Sequence, residues 1–132
     1  MKPVVLDSYA LIAYLNKEAG YNIVSEIFEK CSLSDEYALM CVVNIGEVYY
    51  HALRVGGEKK AKLFLDVIKA LPIDIVEANI NLTLLAAQIK AYNKMSYADA
   101  YAAALAKMKK AQLITGDKEF KVFESEIKIL WL

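Results

Sequence analysis

Short apolar runs alternate with amphipathic stretches along the chain. Runs such as "PVVL" are typical of buried strands, whereas apolar residues that recur every three or four positions are typical of helices packed on one side. The pattern predicts strands at 3–6, 38–43, 73–76, 112–115 and 127–132. It predicts helices at 8–16, 21–31, 44–53, 58–70, 77–92 and 96–110, with the helix at 44–53 ending near Gly56-Gly57.

This alternation determines the expected fold class. Parallel strands need a crossover connection, usually a helix, so the order of elements predicts βαβ units. We therefore expect a three-layer α/β/α protein, in which helices cover both faces of a central parallel sheet of four to five strands. No repeat or linker interrupts the pattern, so residues 1–132 are expected to form a single domain.

Composition narrows the class of protein. The 132 residues are 58% apolar and 24% charged, with a formal net charge of zero, which is typical of a folded domain without a strong overall attraction to nucleic acid or membranes. No apolar run is long enough for a membrane span, and "MKPVVLD" leaves no room for a signal peptide. Cys31 and Cys41 lack zinc-type spacing and His51 is the single histidine, so we expect a cytoplasmic protein without a His/Cys metal site.

One carboxylate interrupts the apolar stretch "PVVLDSYALIAYL". A buried carboxylate without a partner costs several kcal/mol or loses its charge. Asp7 is therefore a helix cap, half of a salt bridge or part of a functional site.

Four acidic residues share one kind of position, at the end of a predicted strand or in the first turn of a predicted helix: Asp7, Glu47, Asp99 and Asp117. The carboxyl ends of parallel strands meet at one edge of a sheet, and that edge is where ligands bind in open α/β sheets. These acids are therefore expected to converge, although they are far apart in the sequence.

Each acid also has a structural interpretation. Asn44-x-x-Glu47 and Ser96-x-x-Asp99 resemble capping boxes, and the first and last of the four acids would serve as a cap and a turn residue. The four acids together favour a functional site over separate structural roles, because two carboxylates ~5 Å apart repel by roughly 3 kcal/mol at an effective dielectric constant near 20. A hard divalent cation such as Mg²⁺ removes that repulsion and can activate water for phosphodiester cleavage.

The chain resembles the PIN-domain ribonucleases, above all the VapC-type toxins of prokaryotic toxin–antitoxin pairs. The resemblance runs from Val4 to Phe120 and continues into the final strand. It is carried by "LDSYALIAYL", "NIGEVYYHAL", "SYADAYAAALA" and "LITGDKEF". It implies a PIN-like α/β/α fold, an endoribonuclease activity, a Mg²⁺ or Mn²⁺ cofactor and an RNA substrate.

The resemblance also implies roles for individual residues. The catalytic acids of the family fall on Asp7, Glu47, Asp99 and Asp117, and all but Glu47 are assigned as metal ligands. Ser8 and Thr115 would assist by hydrogen bonding. Gly46 departs from the family pattern, in which a bulkier residue is common, and a glycine there weakens the helix by roughly 1 kcal/mol.

Substrate contacts are expected from aromatic and basic residues near the acids. Tyr9 and Tyr97 each lie beside a site acid and are candidates for base stacking. Arg54 is the only arginine, so contacts to the RNA backbone would depend on lysines: Lys107, Lys109, Lys110, Lys118 and Lys121. His51 follows Glu47 by one turn and is interpreted as a packing or surface residue.

Other functions fit the motifs less well. A receiver domain would need an adjacent acidic pair after the first strand, a haloacid-dehalogenase-type phosphatase would need Asp-x-Asp, and a nucleotide-binding loop would need a Gly-rich turn after a strand. Two alternatives remain open, a stand-alone PIN nuclease for RNA processing and a catalytically silent PIN-like binding module. The helices from Ser8 to Phe64 expose many apolar residues, which predicts a homodimer or an antitoxin peptide on that surface. The resemblance further implies a cognate antitoxin that covers the acidic edge.

Overall fold

The computed structural model describes residues 1–132, which form five strands, five α-helices and one short 3₁₀ helix. The strands are β1 (Val4–Leu6), β2 (Ala38–Cys41), β3 (Ile73–Val76), β4 (Gln112–Thr115) and β5 (Ile129–Trp131). The α-helices are α1 (Ser8–Leu15), α2 (Tyr21–Leu33), α3 (Val42–Ala70), α4 (Ile80–Tyr92) and α5 (Tyr97–Lys109). The 3₁₀ helix (Lys118–Phe123) lies between β4 and β5.

The strands form one parallel sheet in the order β3-β2-β1-β4-β5. The central strand β1 pairs through Val5 with Leu39 on one side and Leu113 on the other. The predicted parallel sheet is therefore confirmed, with five strands. This strand order places the exits of β1 and β4, that is, their carboxyl ends, side by side. The candidate site lies at these ends.

Helices cover both faces of the sheet. Val4 and Leu6 of β1 face a core that α1, α2 and α3 close, whereas Val5 faces a second core that α4 and α5 close. This alternation is the two-residue period of a strand, and all three side chains are buried because both faces are covered. The three-layer arrangement is thus confirmed. None of the helices combines the length and the apolar character that spanning a membrane would require.

Several predicted boundaries were wrong. The strand predicted at 38–43 ends at Cys41, because its last two residues already belong to α3. The break predicted between the helices at 44–53 and 58–70 is, in contrast, confirmed: α3 consists of two helices that meet at a kink at Gly57, whose φ of 73° is a conformation that favours glycine. The helix predicted from residue 77 begins at Ile80, because the side chain of Asn79 accepts a hydrogen bond from the amide of Leu82 (2.9 Å) and caps it there.

Candidate metal centre and active site

The adjacent exits of β1 and β4 bring three predicted site residues together. Asp7 follows β1 and is 1% exposed, and the fully buried Thr115 ends β4. The Thr115 hydroxyl donates a hydrogen bond to Oδ2 of Asp7, and its oxygen accepts one from the backbone amide of Asp117 (3.0 Å). The supporting role of Thr115 stays a prediction with a geometric basis, since its hydroxyl connects the Asp7 carboxylate, just after β1, to the loop that carries Asp117.

Asp7 is also a helix cap. Its Oδ1 accepts a hydrogen bond from the amide of Ala10 (2.9 Å), which satisfies one of the free N–H groups at the start of α1. The ion pairs of the structure are Met1–Glu36, Glu26–Lys30 and Lys107–Glu126, so the salt-bridge interpretation of Asp7 is wrong. Burial, only partly offset by hydrogen bonds from Thr115 and Ala10, raises the pKa of Asp7 to about 7. A cap alone would not need a carboxylate that is so difficult to ionise.

Glu47 enters the site from α3. The Ser8 hydroxyl, directly after Asp7, donates a hydrogen bond to Oε1 of Glu47 and lies 3.3 Å from the carbonyl oxygen of Asn44. A Cβ atom on Gly46 would meet nothing within 4 Å, so the glycine leaves open space beside Glu47. The predicted pairing of Ser8 with the acids is therefore present, and its partner is Glu47.

Asn44 was expected to cap this helix, and that prediction was wrong. Helix α3 begins after Cys41, so Asn44 lies within its first turn and is fully buried. Its side-chain amide donates to the carbonyl oxygen of Ala98 (3.1 Å) and to Oγ of Ser8 (3.4 Å). Asn44 thus connects the starts of α1, α3 and α5. The pattern Asn44-x-x-Glu47 identified this residue in the sequence, but it indicated a helix cap, which is not the role that Asn44 has in the structure.

Asp99 enters the site from the first turn of α5. The Ser96 side chain caps this helix and accepts a hydrogen bond from the amide of Asp99 (3.1 Å), as the capping box predicted. Burial, followed by the negative charges of the other three predicted acids, raises the pKa of Asp99 to about 7. The charges that act on this half-buried carboxyl are all negative, so the four acids converge without a neutralising lysine or arginine.

The structure adds a fifth acid to this group. Ligand oxygens of Asp99, Asp117 and Glu119 all lie within 4.8 Å of one another. Sequence reasoning missed Glu119, although the spacing Asp117-x-Glu119 in "GDKEF" could have indicated it. Asp117 caps the 3₁₀ helix, with Oδ1 accepting from the Glu119 amide (3.0 Å), and this turn brings both carboxylates to one side. Asp7, the third predicted ligand, lies outside this set, and its ligand role stays a prediction.

This donor set suits a hard divalent cation. The available ligand atoms are carboxylate oxygens, without thiolate or imidazole, and such sets favour Mg²⁺ or Mn²⁺ over zinc or copper. Burial is the largest cause of the two raised pKa values and the neighbouring carboxylates add to it, and a bound cation would stabilise the charged form of these acids.

Three exposed side chains lie beside the acids, and their contacts with RNA stay predictions. The Tyr9 ring, 45% exposed, lies against Gly116, where an added Cβ would clash with it. Tyr97, 44% exposed, packs its ring against Tyr101 with centroids 5.0 Å apart, in the same turn as Asp99. Lys118 directly follows Asp117 and is exposed.

The other lysines divide into two groups. Lys121 shares the 3₁₀ helix with Lys118, whereas Lys107, Lys109 and Lys110 lie at the far end of α5. At ~1.5 Å per helical residue these three are roughly 12–16 Å along the helix from Asp99, and Lys107 is paired with Glu126 at 2.9 Å. The lysines of α5 therefore do not flank the acid group.

The chain is similar to a known protein family. A model of the PIN domain matches residues 4–125, so the chain belongs to the PIN domain family. No curated protein sequence matches the chain.

Three solved structures illustrate the similarity of the fold. VapBC2 from Rickettsia felis, bound to a DNA fragment from its promoter, matches with a TM-score of 0.74 and 14% identity over 98% of each chain. Mycobacterium tuberculosis VapC20, a toxin that cleaves the sarcin-ricin loop, matches with a TM-score of 0.71 and 14% identity over 90% of this chain and 93% of its own. DNA-bound VapBC from Salmonella typhimurium matches with a TM-score of 0.72 and 16% identity over 98% of each chain. At these identities the comparison establishes a shared fold.

Proposed function

We propose that the protein is a metal-dependent endoribonuclease and acts as the toxin of a toxin–antitoxin pair. The observation that carries this proposal is the convergence of five carboxylates at the exits of β1 and β4 and the starts of α3 and α5. Membership of the PIN domain family, and the similarity of the fold to VapC20 and VapBC complexes, support the nuclease and toxin assignments.

The acids divide into two groups by their contacts. Asp99, Asp117 and Glu119 have grouped oxygens and would hold Mg²⁺ or Mn²⁺. Asp7 and Glu47 are fixed by hydroxyl groups, from Thr115 and Ser8 respectively. The bound cation would supply an activated water and stabilise negative charge on the phosphate. We assign Glu47 as the acceptor of the proton from the attacking water, since Ser8 holds its Oε1 and its carboxylate is outside the set of grouped ligand oxygens.

RNA would be held by the flanking side chains. Stacking of a base on an aromatic ring contributes about 1–3 kcal/mol and does not depend strongly on sequence. Tyr9 and Tyr97 present exposed rings beside the acids, and Lys118 can contact a phosphate next to Asp117.

The proposed protein partners follow from charge and exposed apolar surface. A cognate antitoxin would cover the acidic edge with a basic side chain, and the VapBC complexes of similar fold support such a partner. A second copy of the chain would cover the apolar stripe on α4, where Ile80 is 67% exposed and Leu84, one turn later, is 60% exposed.

Cleavage of single-stranded RNA by the purified protein tests the activity. We expect cleavage with Mg²⁺ or Mn²⁺, none in EDTA, and little by Asp99→Asn. Asp66→Asn, which changes an exposed aspartate of α3 outside the acid group, is the matched control and should cut like wild type. Cleavage in EDTA, or full activity of Asp99→Asn, would contradict the proposal. RNA binding without cleavage in either metal would indicate the silent module instead.

Expression in a bacterial host tests the toxin role. We expect growth arrest by the wild type, relief when the product of a small neighbouring gene is co-expressed, and no arrest by Asp99→Asn. Activity on RNA in vitro without growth arrest would favour a stand-alone processing nuclease.

A further inference from the structure

We propose that Asn44 is a positioning residue that sets the relative placement of Glu47 and Asp99 at the metal centre. This inference rests on the proposed function. Asn44 is fully buried behind the acid group and contacts two elements besides its own helix. Its two partners are Ser8, which follows Asp7 in the sequence, and Ala98, which precedes Asp99.

The hydrogen bonds of Asn44 have a defined direction. The carbonyl oxygen of Ala98 can only accept, so the amide nitrogen of Asn44 must face it, at 3.1 Å. The same nitrogen lies 3.4 Å from Oγ of Ser8 and can donate only into a lone pair of that oxygen. The Ser8 proton is then free to point at Oε1 of Glu47, which is the contact observed. Asn44 therefore acts on Glu47 through Ser8.

The fold itself gains little from Asn44. Ala98 lies within α5, where its carbonyl oxygen has the usual helical partner four residues further on, so the bond from Asn44 is an additional one. The other end of the side chain is unsatisfied, because Oδ1 is buried without a hydrogen-bond donor. A buried acceptor without a donor destabilises a protein, and an apolar residue of similar size would avoid that cost. The geometry points to a role for Asn44 in the site.

The acid group explains what such a residue would do. Its members come from separate elements, with Glu47 on α3 and Asp99 on α5, and after burial the negative charges of the other acids, Glu47 among them, raise the pKa of Asp99. Asn44 on α3 holds the first turn of α5 through Ala98. Residues behind the ligands of a metal site commonly change metal affinity by 10–100-fold when they are replaced.

Asn44→Leu separates this role from a structural one, since leucine has the same branched skeleton and no polar atom. We expect at least tenfold weaker Mn²⁺ binding by calorimetry. For RNA cleavage, kcat should fall more than KM rises. The control is Asn93→Leu, which removes an amide that donates to the carbonyl oxygen of Ile89 (2.9 Å) at the end of α4 and should leave Mn²⁺ affinity unchanged.

The possible outcomes are distinguishable. Wild-type Mn²⁺ affinity in Asn44→Leu would overturn the inference while leaving the proposed nuclease intact. A wild type that neither binds Mn²⁺ nor cuts RNA would overturn both. If Asn44→Leu does not fold, Asn44→Val, which is smaller and also has no polar atom, is measured in the same way. Weaker Mn²⁺ binding than wild type supports the positioning role, and equal binding contradicts it.

Discussion

The hydroxyl group of Thr115 donates a hydrogen bond to Oδ2 of Asp7, although 108 positions separate the two residues in the chain. They meet because β1 and β4 are neighbours in the sheet and Leu6 pairs with Ile114. The same hydroxyl oxygen accepts from the amide of Asp117 (3.0 Å), so a single side chain fixes the spacing of two acids.

Replacing Thr115 by valine should disturb this relationship without changing the shape of the core. The carboxylate of Asp7 would lose a charge-assisted hydrogen bond in a buried position, and we expect a loss of about 1–3 kcal/mol in the free energy of unfolding near neutral pH. RNA cleavage should fall as well. Chemical denaturation measures the first effect. Thr83→Val, which removes a hydroxyl on α4 away from the acids, should leave cleavage unchanged, and equal cleavage by both variants would argue against the role of Thr115.

Glu119 supplies a test of the candidate metal ligands that the structure groups together. Glu119→Gln removes one carboxylate from the set formed with Asp99 and Asp117, and we expect Mn²⁺ affinity to fall by roughly tenfold or more, about 1.4 kcal/mol. Because Glu119 is exposed, the melting temperature in EDTA should hardly change. Calorimetric titration with Mn²⁺ is the measurement. Glu124→Gln, an exposed acid at the end of the same 3₁₀ helix, is the control, and identical affinities for the two variants would remove Glu119 from the site.

The pH dependence of stability follows from two raised pKa values. Asp7 and Asp99 have pKa values of about 7 in the folded chain against 3.8 for an unperturbed aspartate. Between about pH 4 and pH 7 the folded chain therefore holds protons that the unfolded chain has released, so the stability of the metal-free protein should fall as pH rises through this window.

Melting curves in EDTA at about pH 5 and pH 8 measure this dependence. The wild type should melt higher at the lower pH, and a double variant with Asp7→Asn and Asp99→Asn should show a smaller difference. A wild type and double variant with the same pH dependence would mean that these carboxyls titrate normally. With metal present the wild-type trend should weaken, because cation binding requires the deprotonated carboxylates.

How much of this site was predictable depends on what positioned each residue. Asp7 and Asp117 were predicted because strand ends are visible in an apolar pattern and parallel strands end at one edge. The boundary between β2 and α3 was not predicted correctly, because Val42 and Val43 continue the apolar run of the strand although they already lie in the helix. That error made Asn44 look like a cap, whereas its role depends on Ser8 and Ala98, which only the tertiary structure brings near.

Glu119 was missed for a different reason. Its placement depends on the turn of the 3₁₀ helix after Asp117, and a single short turn leaves no hydrophobic period in the sequence. The lysines at the end of α5 were expected to contact the RNA backbone, and that role stays a prediction. They lie far from Asp99 because the helix between them is long. The helical pattern in the sequence gives this distance only once the first residue of the helix has been assigned.

The proposed homodimer can be tested through the exposed apolar stripe on α4. Leu84→Glu places a charge at its centre, and burial of that charge in an interface would be costly. We expect wild type to behave as a dimer at micromolar concentration in light scattering and sedimentation, and Leu84→Glu to shift toward the monomer. Leu63→Glu, at an exposed leucine of α3, is the control. A monomeric wild type would contradict the dimer, and a dimeric Leu84→Glu would place the interface elsewhere.

The central claim is that Asp7 belongs to a group of like charges that a cation stabilises. Asp7→Asn keeps an oxygen that can accept from the amide of Ala10, so the cap on α1 is retained while one charge is removed. Relief of repulsion should be about 1–3 kcal/mol at an effective dielectric constant near 20, which corresponds to several degrees in melting temperature for a domain of this size.

The most direct measurement is therefore the melting temperature of wild type and Asp7→Asn, each in EDTA and in millimolar Mg²⁺ near pH 8. Asp7→Asn should melt higher than wild type in EDTA. Mg²⁺ should raise the wild-type melting temperature, because the cation binds only the folded chain, and should raise that of the variant much less. If Asp7→Asn melts lower than wild type in EDTA and responds equally to Mg²⁺, Asp7 is only a helix cap and does not belong to the charged group.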